Sequence, residues 1–245
     1  MTRILAIGNS FSQDATAFLQ AMADSAGVEA DIVNLYIGGC SLQMHAENIA
    51  QDAAAYSYER NGTGTGRMVS IREALEEGPW DVVTVQQVSG LSGVPESYEP
   101  WGREVLDCVR TYAPGAKIWF HRTWAYEIDS EHGDFPRYGR DQAAMHRAIL
   151  SASESFARDH GLQIIPVGDV IAALRREAPF RYGQGGESLC RDGFHMSYTH
   201  GRYAAALCWF EILLGDCSQV RFVPEGVVQE KIIRETVKEI CRERK

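Results

Sequence analysis

The fold of this chain is decided by one stretch, ILAIGNSFS at residues 4–12. Four apolar residues come first, glycine and small polar residues follow, and an amphipathic segment comes after them. This order predicts a buried strand, a tight turn and a helix. Ser10 would then lie at the turn, with its hydroxyl exposed and its backbone N–H near a helix N-terminus, where an anion can be held. We expect Ser12 to cap the helix, with Asp14 in its first turn.

A second stretch that can carry chemistry is the segment DGFH, which begins at Asp192. Asp192 stands three residues before His195, a spacing that lets a carboxylate orient an imidazole as a general base. Among His121, His195 and His200, only His195 has an acid at this spacing, and we expect His200 to pack or cap at the start of the last helix. Serine, histidine and aspartate are all available, although a capping Ser10 and a turn at Asp192 are structural alternatives.

These two segments together resemble the SGNH hydrolases, also called the GDSL-like lipase/acylhydrolase superfamily. The resemblance is to the branch that begins Gly-Asn-Ser-Phe-Ser, a family often labelled DUF4886, and it spans Arg3 to about Trp209. In that superfamily the first block carries the nucleophile and the last block is Asp-x-x-His. The resemblance therefore implies Ser10 as the nucleophile, His195 as the base and Asp192 as the acid that orients it.

The resemblance also implies an oxyanion hole made of the Ser10 N–H, a glycine N–H and an asparagine side chain. The glycine maps onto Gly39. Where the superfamily has Gly-x-Asn-Asp, this chain has VQQVSG at residues 85–90. A glutamine amide offers the same N–H donors on a longer stem, so we expect Gln87, or else Gln86, to supply the third donor.

Composition excludes several classes of function. The chain has 245 residues and a formal net charge of −9, which argues against a nucleic-acid partner because phosphate binding needs clustered Lys and Arg. No two of its six cysteines have the CxxC spacing of zinc or redox sites. We expect these cysteines to be reduced thiols in a cytoplasmic protein.

Targeting segments and metal motifs are also missing from the sequence. The first predicted strand begins by Arg3 and leaves no room for a signal peptide. A run of about eighteen apolar residues, as a membrane span requires, does not occur. His195 and His200 are five residues apart and no HExxH motif is found, so we expect no metal site, and the implied acyl chemistry needs no cofactor.

Apolar runs alternate with helical patterns along the whole chain, which is typical of an α/β fold with a parallel sheet. We predict a single domain over residues 1–245, with three α/β/α layers and a flavodoxin-like five-stranded parallel sheet of order 2-1-3-4-5. The predicted strands are Arg3–Gly8, Ala30–Tyr36, Asp81–Gln86, Ala116–His121 and Leu162–Val167.

Seven helices are predicted around this sheet. They are Asp14–Ala26, Leu42–Ala55, Ser70–Glu77, Tyr98–Tyr112, Arg140–His160, Thr199–Leu214 and Val227–Arg244. The last has one apolar face, which we expect to pack against the sheet or a neighbouring subunit. Because parallel strands end at one edge of a sheet, the motifs at Ser10, Gly39, Gln87 and His121 are expected to meet there.

Two stretches interrupt this alternation. Residues 56–68 contain RNGTGTGR and predict a turn, a hairpin or a flexible loop. A phosphate cradle is disfavoured, because no Lys-Ser/Thr follows the glycines. Residues 124–137 are rich in aromatic and acidic side chains, which predicts a lid or a substrate-facing loop. We expect Trp124, Gln86 and His121 to contact the substrate.

The function expected from these features is that of a serine esterase. The resemblance implies ester substrates, with small acyl groups such as acetyl on a carbohydrate favoured. A thioesterase or lysophospholipase is an alternative within the same chemistry. A binding module that keeps the SGNH fold without catalysis is the alternative from another class.

Overall fold

The computed structural model describes residues 1–242, and its centre is a sheet of seven strands. In chain order the strands are β1 (Thr2–Gly8), β2 (Ala30–Tyr36), β3 (Tyr56–Arg60), β4 (Thr63–Val69), β5 (Val82–Val85), β6 (Lys117–His121) and β7 (Gln163–Ile165). Their order across the sheet is β4-β3-β2-β1-β5-β6-β7. The strand that ends next to Ser10, β1, therefore lies inside the sheet.

The predicted α/β class and parallel arrangement are confirmed. The strands β2, β1, β5, β6 and β7 pair in parallel, in the predicted order 2-1-3-4-5. The sheet has seven strands rather than five, because β3 and β4 form an antiparallel hairpin that extends it beyond β2. Asn61 and Gly62 have φ values of 52° and 79°, the left-handed conformation that a two-residue hairpin loop needs. Residues 56–68 thus form a hairpin.

The two faces of the sheet bury different residues of the same strand. Ile4 and Ala6 face one apolar core, and Leu5 and Ile7 face the other. Successive side chains of a strand point to opposite faces, so a wholly apolar strand needs a cover of helices on both sides. The three predicted layers follow from this requirement.

The helices agree with the predicted positions, with differences at their ends. They are α1 (Ser10–Thr16), α2 (Leu19–Ala26), α3 (Leu42–Ala50), α4 (Ile71–Glu76), α5 (Trp101–Tyr112), α6 (Gln142–His160), α7 (Val167–Leu174), α8 (His200–Leu213) and α9 (Glu230–Arg242). The single helix predicted over 14–26 is two helices, and the first begins at Ser10. The prediction missed α7: Pro166 follows the end of β7 and stands at the N-cap of a new helix.

The carboxyl-terminal helices pack on the face of the sheet that carries α1 and α2. Helix α8 is buried on almost every side, since α1, α2 and α7 pack against it and α9 covers it. The apolar face of α9 buries Ile233 and Val237 against α7 and α8 rather than the sheet. The predicted helix end at Arg244 lies outside the described residues. No helix within residues 1–242 is long and apolar enough to cross a membrane, and all six cysteines are buried and free.

Candidate active site

Ser10 is the first residue of α1, and Asn9 alone separates it from the end of β1. Asn9 caps the helix: its Oδ1 accepts from the Phe11 N–H at 2.9 Å, and its Nδ2 donates to the Cys40 carbonyl at 2.9 Å. The prediction that Ser12 caps the helix is wrong, because the helix starts earlier than expected. The Ser12 hydroxyl lies inside α1, 2.6 Å from Asn34 Oδ1.

The structure brings the three predicted catalytic side chains together. The Ser10 Oγ lies 2.8 Å from His195 Nε2, and His195 Nδ1 lies 2.7 Å from Asp192 Oδ2. Asp192 Oδ1 accepts the backbone N–H groups of His195 at 2.8 Å and Phe194 at 3.2 Å. These backbone donors hold the carboxylate in one orientation and leave its second oxygen to the imidazole, as a general base requires.

Electrostatics favours the charged form of the Asp192 carboxyl. Partial burial raises its pKa, but the hydrogen bonds from the His195 ring and from the backbone N–H groups of His195 and Phe194 outweigh burial and lower the pKa. An ionised Asp192 accepts a hydrogen bond from His195 Nδ1–H. The Nε2 lone pair then faces the Ser10 hydroxyl.

Asp192 and His195 lie on a short hairpin closed by a bridge between Cys190 and Met196. The Arg191 N–H donates to the His195 carbonyl at 2.9 Å. Gly193 turns the chain with a φ of 86°, where only glycine is free of strain. We refer to residues 190–196 as the catalytic hairpin.

Trp124 fixes the position of this hairpin through a hydrogen bond. Its Nε1 donates to the Phe194 carbonyl at 2.7 Å, and its ring stacks on Phe11 at 4.1 Å. The Glu127 N–H makes a second attachment, to the Gly193 carbonyl at 2.7 Å. Trp124 is fully buried, so the expectation that it contacts the substrate is not met.

Gln86 and His121 are also buried and cannot reach a substrate in this structure. Gln86 Nε2 donates to Asn9 Oδ1 at 2.7 Å, and its Oε1 lies 2.9 Å from His121 Nδ1. Burial lowers the pKa of His121 to about 3, so the ring is neutral and can donate from Nδ1. The pair braces the Asn9 turn that carries Ser10.

The expected oxyanion donors have different surroundings. Gly39 follows β2 in an exposed turn with a φ of 66°, and in residues 1–242 neither its N–H nor that of Ser10 has a recorded hydrogen-bond acceptor. Gln87 is buried: its Nε2 donates to the Ser97 carbonyl at 2.9 Å and to the Ser97 Oγ at 3.1 Å. Its Oε1 accepts the Leu42 and Val88 N–H groups at 3.0 and 2.8 Å. The Gln87 amide thus has no free N–H for an oxyanion.

The stretch at residues 124–137 is buried in its first four residues and alternates between buried and exposed residues after them. Ser130 and Phe135 are buried, whereas Ile128 is exposed. This packing does not match a lid, because a lid must be able to leave its site. His200 begins α8, where its Nε2 accepts the Val228 N–H at 3.1 Å, as a packing residue would.

Asp14, which was expected in the first turn of the helix, is instead the fifth residue of α1 and is fully buried beside the catalytic hairpin. Asp14 accepts hydrogen bonds from Arg191, from Arg202 and from the Met196 N–H. The available signal was its position one helical turn after Ser10, since residues four apart lie on the same face of a helix.

Two clefts share Tyr182 as a lining residue, and residues of the catalytic hairpin border one of them. One has a volume of about 330 Å³ and is bordered by Asp192, Gly193 and Tyr182. The other has about 490 Å³ and is bordered by Tyr182, Glu127 and Arg175. Both are lined by polar and charged side chains as well as apolar ones.

A parallel sheet flanked by helices, with a serine after its first strand and an Asp-x-x-His segment late in the chain, is typical of the SGNH class of hydrolase folds. The family model with the description "Domain of unknown function (DUF4886)" matches residues 3–237. The chain belongs to the DUF4886 family.

Solved structures agree with this assignment. A DUF4886 family protein from Bacteroides uniformis is 34% identical, with a TM-score of 0.91 over 100% of this chain and 96% of that one. A protein proposed to be an SGNH hydrolase, from Slackia heliotrinireducens, is 22% identical, with a TM-score of 0.60 over 86% of this chain and 97% of its own.

An acetylxylan esterase from Geobacillus stearothermophilus shares the fold at 11% identity, with a TM-score of 0.57 over 90% of this chain and 97% of its own. No curated protein is significantly similar in sequence. The two more distant structures show that this chain shares its fold with an acetylxylan esterase and with a protein proposed to be an SGNH hydrolase.

Proposed function

We propose that this protein is a serine esterase that hydrolyses carboxylic esters through an acyl-enzyme on Ser10. The observation that carries the proposal is the continuous chain of hydrogen bonds from Ser10 through His195 to Asp192, at 2.8 and 2.7 Å. Such a chain is what a serine needs to become a nucleophile, because its hydroxyl is weakly acidic and requires an adjacent oriented base.

In the first step His195 Nε2 takes the hydroxyl proton while the Ser10 Oγ forms a bond to the ester carbonyl carbon. The resulting oxyanion is held by the backbone N–H groups of Ser10 and Gly39, each worth on the order of 3 kcal/mol in the transition state. His195 then gives its proton to the departing alcohol. Water, deprotonated by the same imidazole, releases the acid and restores Ser10.

The favoured substrate class is a small acyl ester, such as acetyl, on a carbohydrate. The cleft bordered by Asp192 and Gly193 is lined mostly by polar and charged side chains, which suit a hydroxyl-rich group better than an acyl chain. The shared fold with an acetylxylan esterase supports the same class. A thioesterase or lysophospholipase would instead need room for a long apolar chain.

The test is hydrolysis of p-nitrophenyl acetate by the wild type and by Ser10→Ala. We expect Ser10→Ala to lower kcat by at least about 10⁴-fold, because removing the nucleophile disables the whole triad. A matched control is Ser70→Ala, since Ser70 also lies at a helix start, where its Oγ accepts the Glu73 N–H at 3.1 Å. That variant should keep wild-type kcat.

Equal rates for the wild type and Ser10→Ala would refute the esterase and favour the binding module. In an active protein, a fluorophosphonate should add to Ser10, as intact mass and peptide mapping would report. Comparison of acetyl with octanoyl nitrophenyl esters, and then acetylated xylo-oligosaccharides, tests the substrate class. A preference for the octanoyl ester would contradict the small-acyl proposal.

A further inference from the structure

One turn of α1 contacts both ends of the catalytic hairpin. Ser10 and Asp14 are four residues apart and lie on the same face of the helix. Ser10 meets His195, while Asp14 Oδ2 accepts the N–H of Met196, the next residue, at 2.9 Å. Asp14 also accepts from Arg191, the residue before Asp192, with Nη1 3.0 Å from each carboxylate oxygen. The carboxylate thus holds the residues on both flanks of the Asp-x-x-His motif.

The surroundings of Asp14 allow little freedom. It is 0% exposed, and a buried carboxylate is tolerated only when its oxygens are paired. Helix α8 supplies a further donor, the Arg202 Nε at 2.8 Å from Oδ1. Arg191 Nη1 donates in addition to the Met196 carbonyl, which ties the two strands of the hairpin together. The Tyr198 ring covers both guanidinium groups, at 4.7 and 4.6 Å.

We propose that Asp14 is a positioning residue for the hydrolysis proposed above: it seats the catalytic hairpin on α1 and so sets the distance between Ser10 and His195. The inference rests on that proposed function. Asp14 does not touch the reacting atoms and acts through Arg191 and Met196. A displacement of about 1 Å at a reacting group can lower a rate by about 10²-fold, so the seat of the hairpin bears directly on turnover.

The decisive variant is Asp14→Asn, which keeps the shape and removes one acceptor. Donors face both carboxylate oxygens, Arg191 and Arg202 at Oδ1 and Arg191 and the Met196 N–H at Oδ2. Either orientation of the amide therefore places an NH₂ group against a donor. We expect kcat to fall by about 10²-fold with KM changed less than about threefold, and fluorophosphonate labelling of Ser10 to slow by the same factor as kcat.

A matched control separates position from stability. Asp31 is also buried and also accepts from two arginines, Arg3 Nε at 3.2 Å and Arg60 Nε at 2.7 Å, but it lies at the opposite end of β2 from Gly39. Asp31→Asn should lower Tm, as Asp14→Asn does, and keep the wild-type kcat and labelling rate. Rates are measured well below both Tm values and divided by the folded fraction.

Full kcat in Asp14→Asn, or equal losses of kcat in both variants, would overturn the positioning role. If Asp14→Asn does not fold, Arg191→Gln takes its place, since that side chain is partly exposed, and a kcat loss with an unchanged KM is again expected. A wild type inactive towards both ester and fluorophosphonate refutes the proposed function instead. In that case the crystal structure of Asp14→Asn still tests the seat, which predicts a Ser10 Oγ to His195 Nε2 separation beyond hydrogen-bond range; an unchanged 2.8 Å contradicts it.

Discussion

Two buried aspartates, Asp31 in strand β2 and Asp14 in helix α1, are each paired with two arginines, but they join different kinds of structure. Asp31 links β1, β2 and β3, and Arg3 is its register partner on β1. Backbone ladders already hold those strands. Asp14 links α1 and α8 to the catalytic hairpin, which within residues 1–242 pairs with no strand of the central sheet.

The same ion-pair chemistry has different consequences at Asp31 and at Asp14. Between strands, a charge adds stability to parts whose positions the backbone hydrogen bonds determine. Between a helix and a hairpin, it decides where the hairpin lies. Loss of either aspartate removes a carboxylate partner from arginines that are partly buried, which is destabilising in both cases, but only the loss of Asp14 moves groups proposed to react.

The largest loss of kcat is expected for a substitution of Asp192, at the tip of the catalytic hairpin. In Asp192→Asn the amide oxygen can accept the backbone N–H groups that Oδ1 now accepts, so its NH₂ faces His195 and favours the wrong tautomer. We expect kcat to fall by about 10⁴-fold with little change in Tm. The measurement is kcat on p-nitrophenyl acetate.

The control for this variant is Asp216→Asn. Asp216 Oδ1 accepts the Ser218 N–H at 2.8 Å, a turn of the same kind as at Asp192, and it is exposed and remote from the hairpin. Its variant should have the wild-type kcat. If Asp192→Asn lowers kcat only slightly, the Asp192 carboxylate stabilises the turn and does not orient His195.

A smaller effect is expected for Gln87→Ala, which tests whether this amide stabilises the fold or the oxyanion. All the Gln87 hydrogen bonds run to Leu42, Val88 and Ser97, so the variant should lose about 1–3 kcal/mol of stability. We expect kcat of the folded protein to fall less than about tenfold. Loss of an oxyanion donor would instead lower kcat by about 10²–10³-fold.

Ser97→Ala provides the partner for this test. If Gln87 acts through Ser97, the two substitutions should not be additive in the free energy of unfolding. A kcat loss of the larger size in Gln87→Ala alone would return the oxyanion role to this side chain.

The buried histidines His45 and His121 are expected to have the smallest effect on turnover, because their protonation changes the free energy of unfolding instead. Burial lowers the pKa of His45 and of His121 from 6.5 to about 3. Between these values the unfolded chain binds protons that the folded protein does not, so the free energy of unfolding falls as pH drops from about 6.5 towards 3, by up to about 1.4 kcal/mol per pH unit for each group.

Urea unfolding at several pH values between 7 and 4 measures this slope. His45→Gln should make it shallower, because glutamine does not titrate. A slope equal to that of the wild type would contradict the assignment of the pH dependence to His45.

Much of the fold was predictable because its signals are local. The apolar runs located β1 and β2 within one residue at each end, and the alternation with helices predicted the parallel order that the structure has. The helix ends were less predictable, since Asn9 and not Ser12 caps α1. Several polar side chains near helix starts compete for one cap, and the contact of Asn9 with Cys40, 31 residues away, decides between them.

The residues of the candidate site were also predictable only in part. The residue types and spacing at Ser10 and at Asp192 to His195 predicted groups that the structure brings within hydrogen-bond distance. Trp124 was expected to face a substrate because aromatic faces stack on sugar rings, and Gln86 and His121 because they lie at the carboxyl ends of strands. They are buried instead, since their polar atoms bind Phe194, Asn9 and one another.

The amino-acid sequence by itself determined where most strands and helices lie, the turn that presents Ser10 and the short-range pairing of Asp192 with His195, because each depends on residues close in the chain. Only the tertiary structure decided that the hairpin meets α1, that Asp14 seats it there and that Gln87 is occupied elsewhere. These contacts join residues 10 to 188 positions apart, and packing decides which partner a buried polar group takes, since a polar group that is excluded from water is stable only with a hydrogen-bond partner.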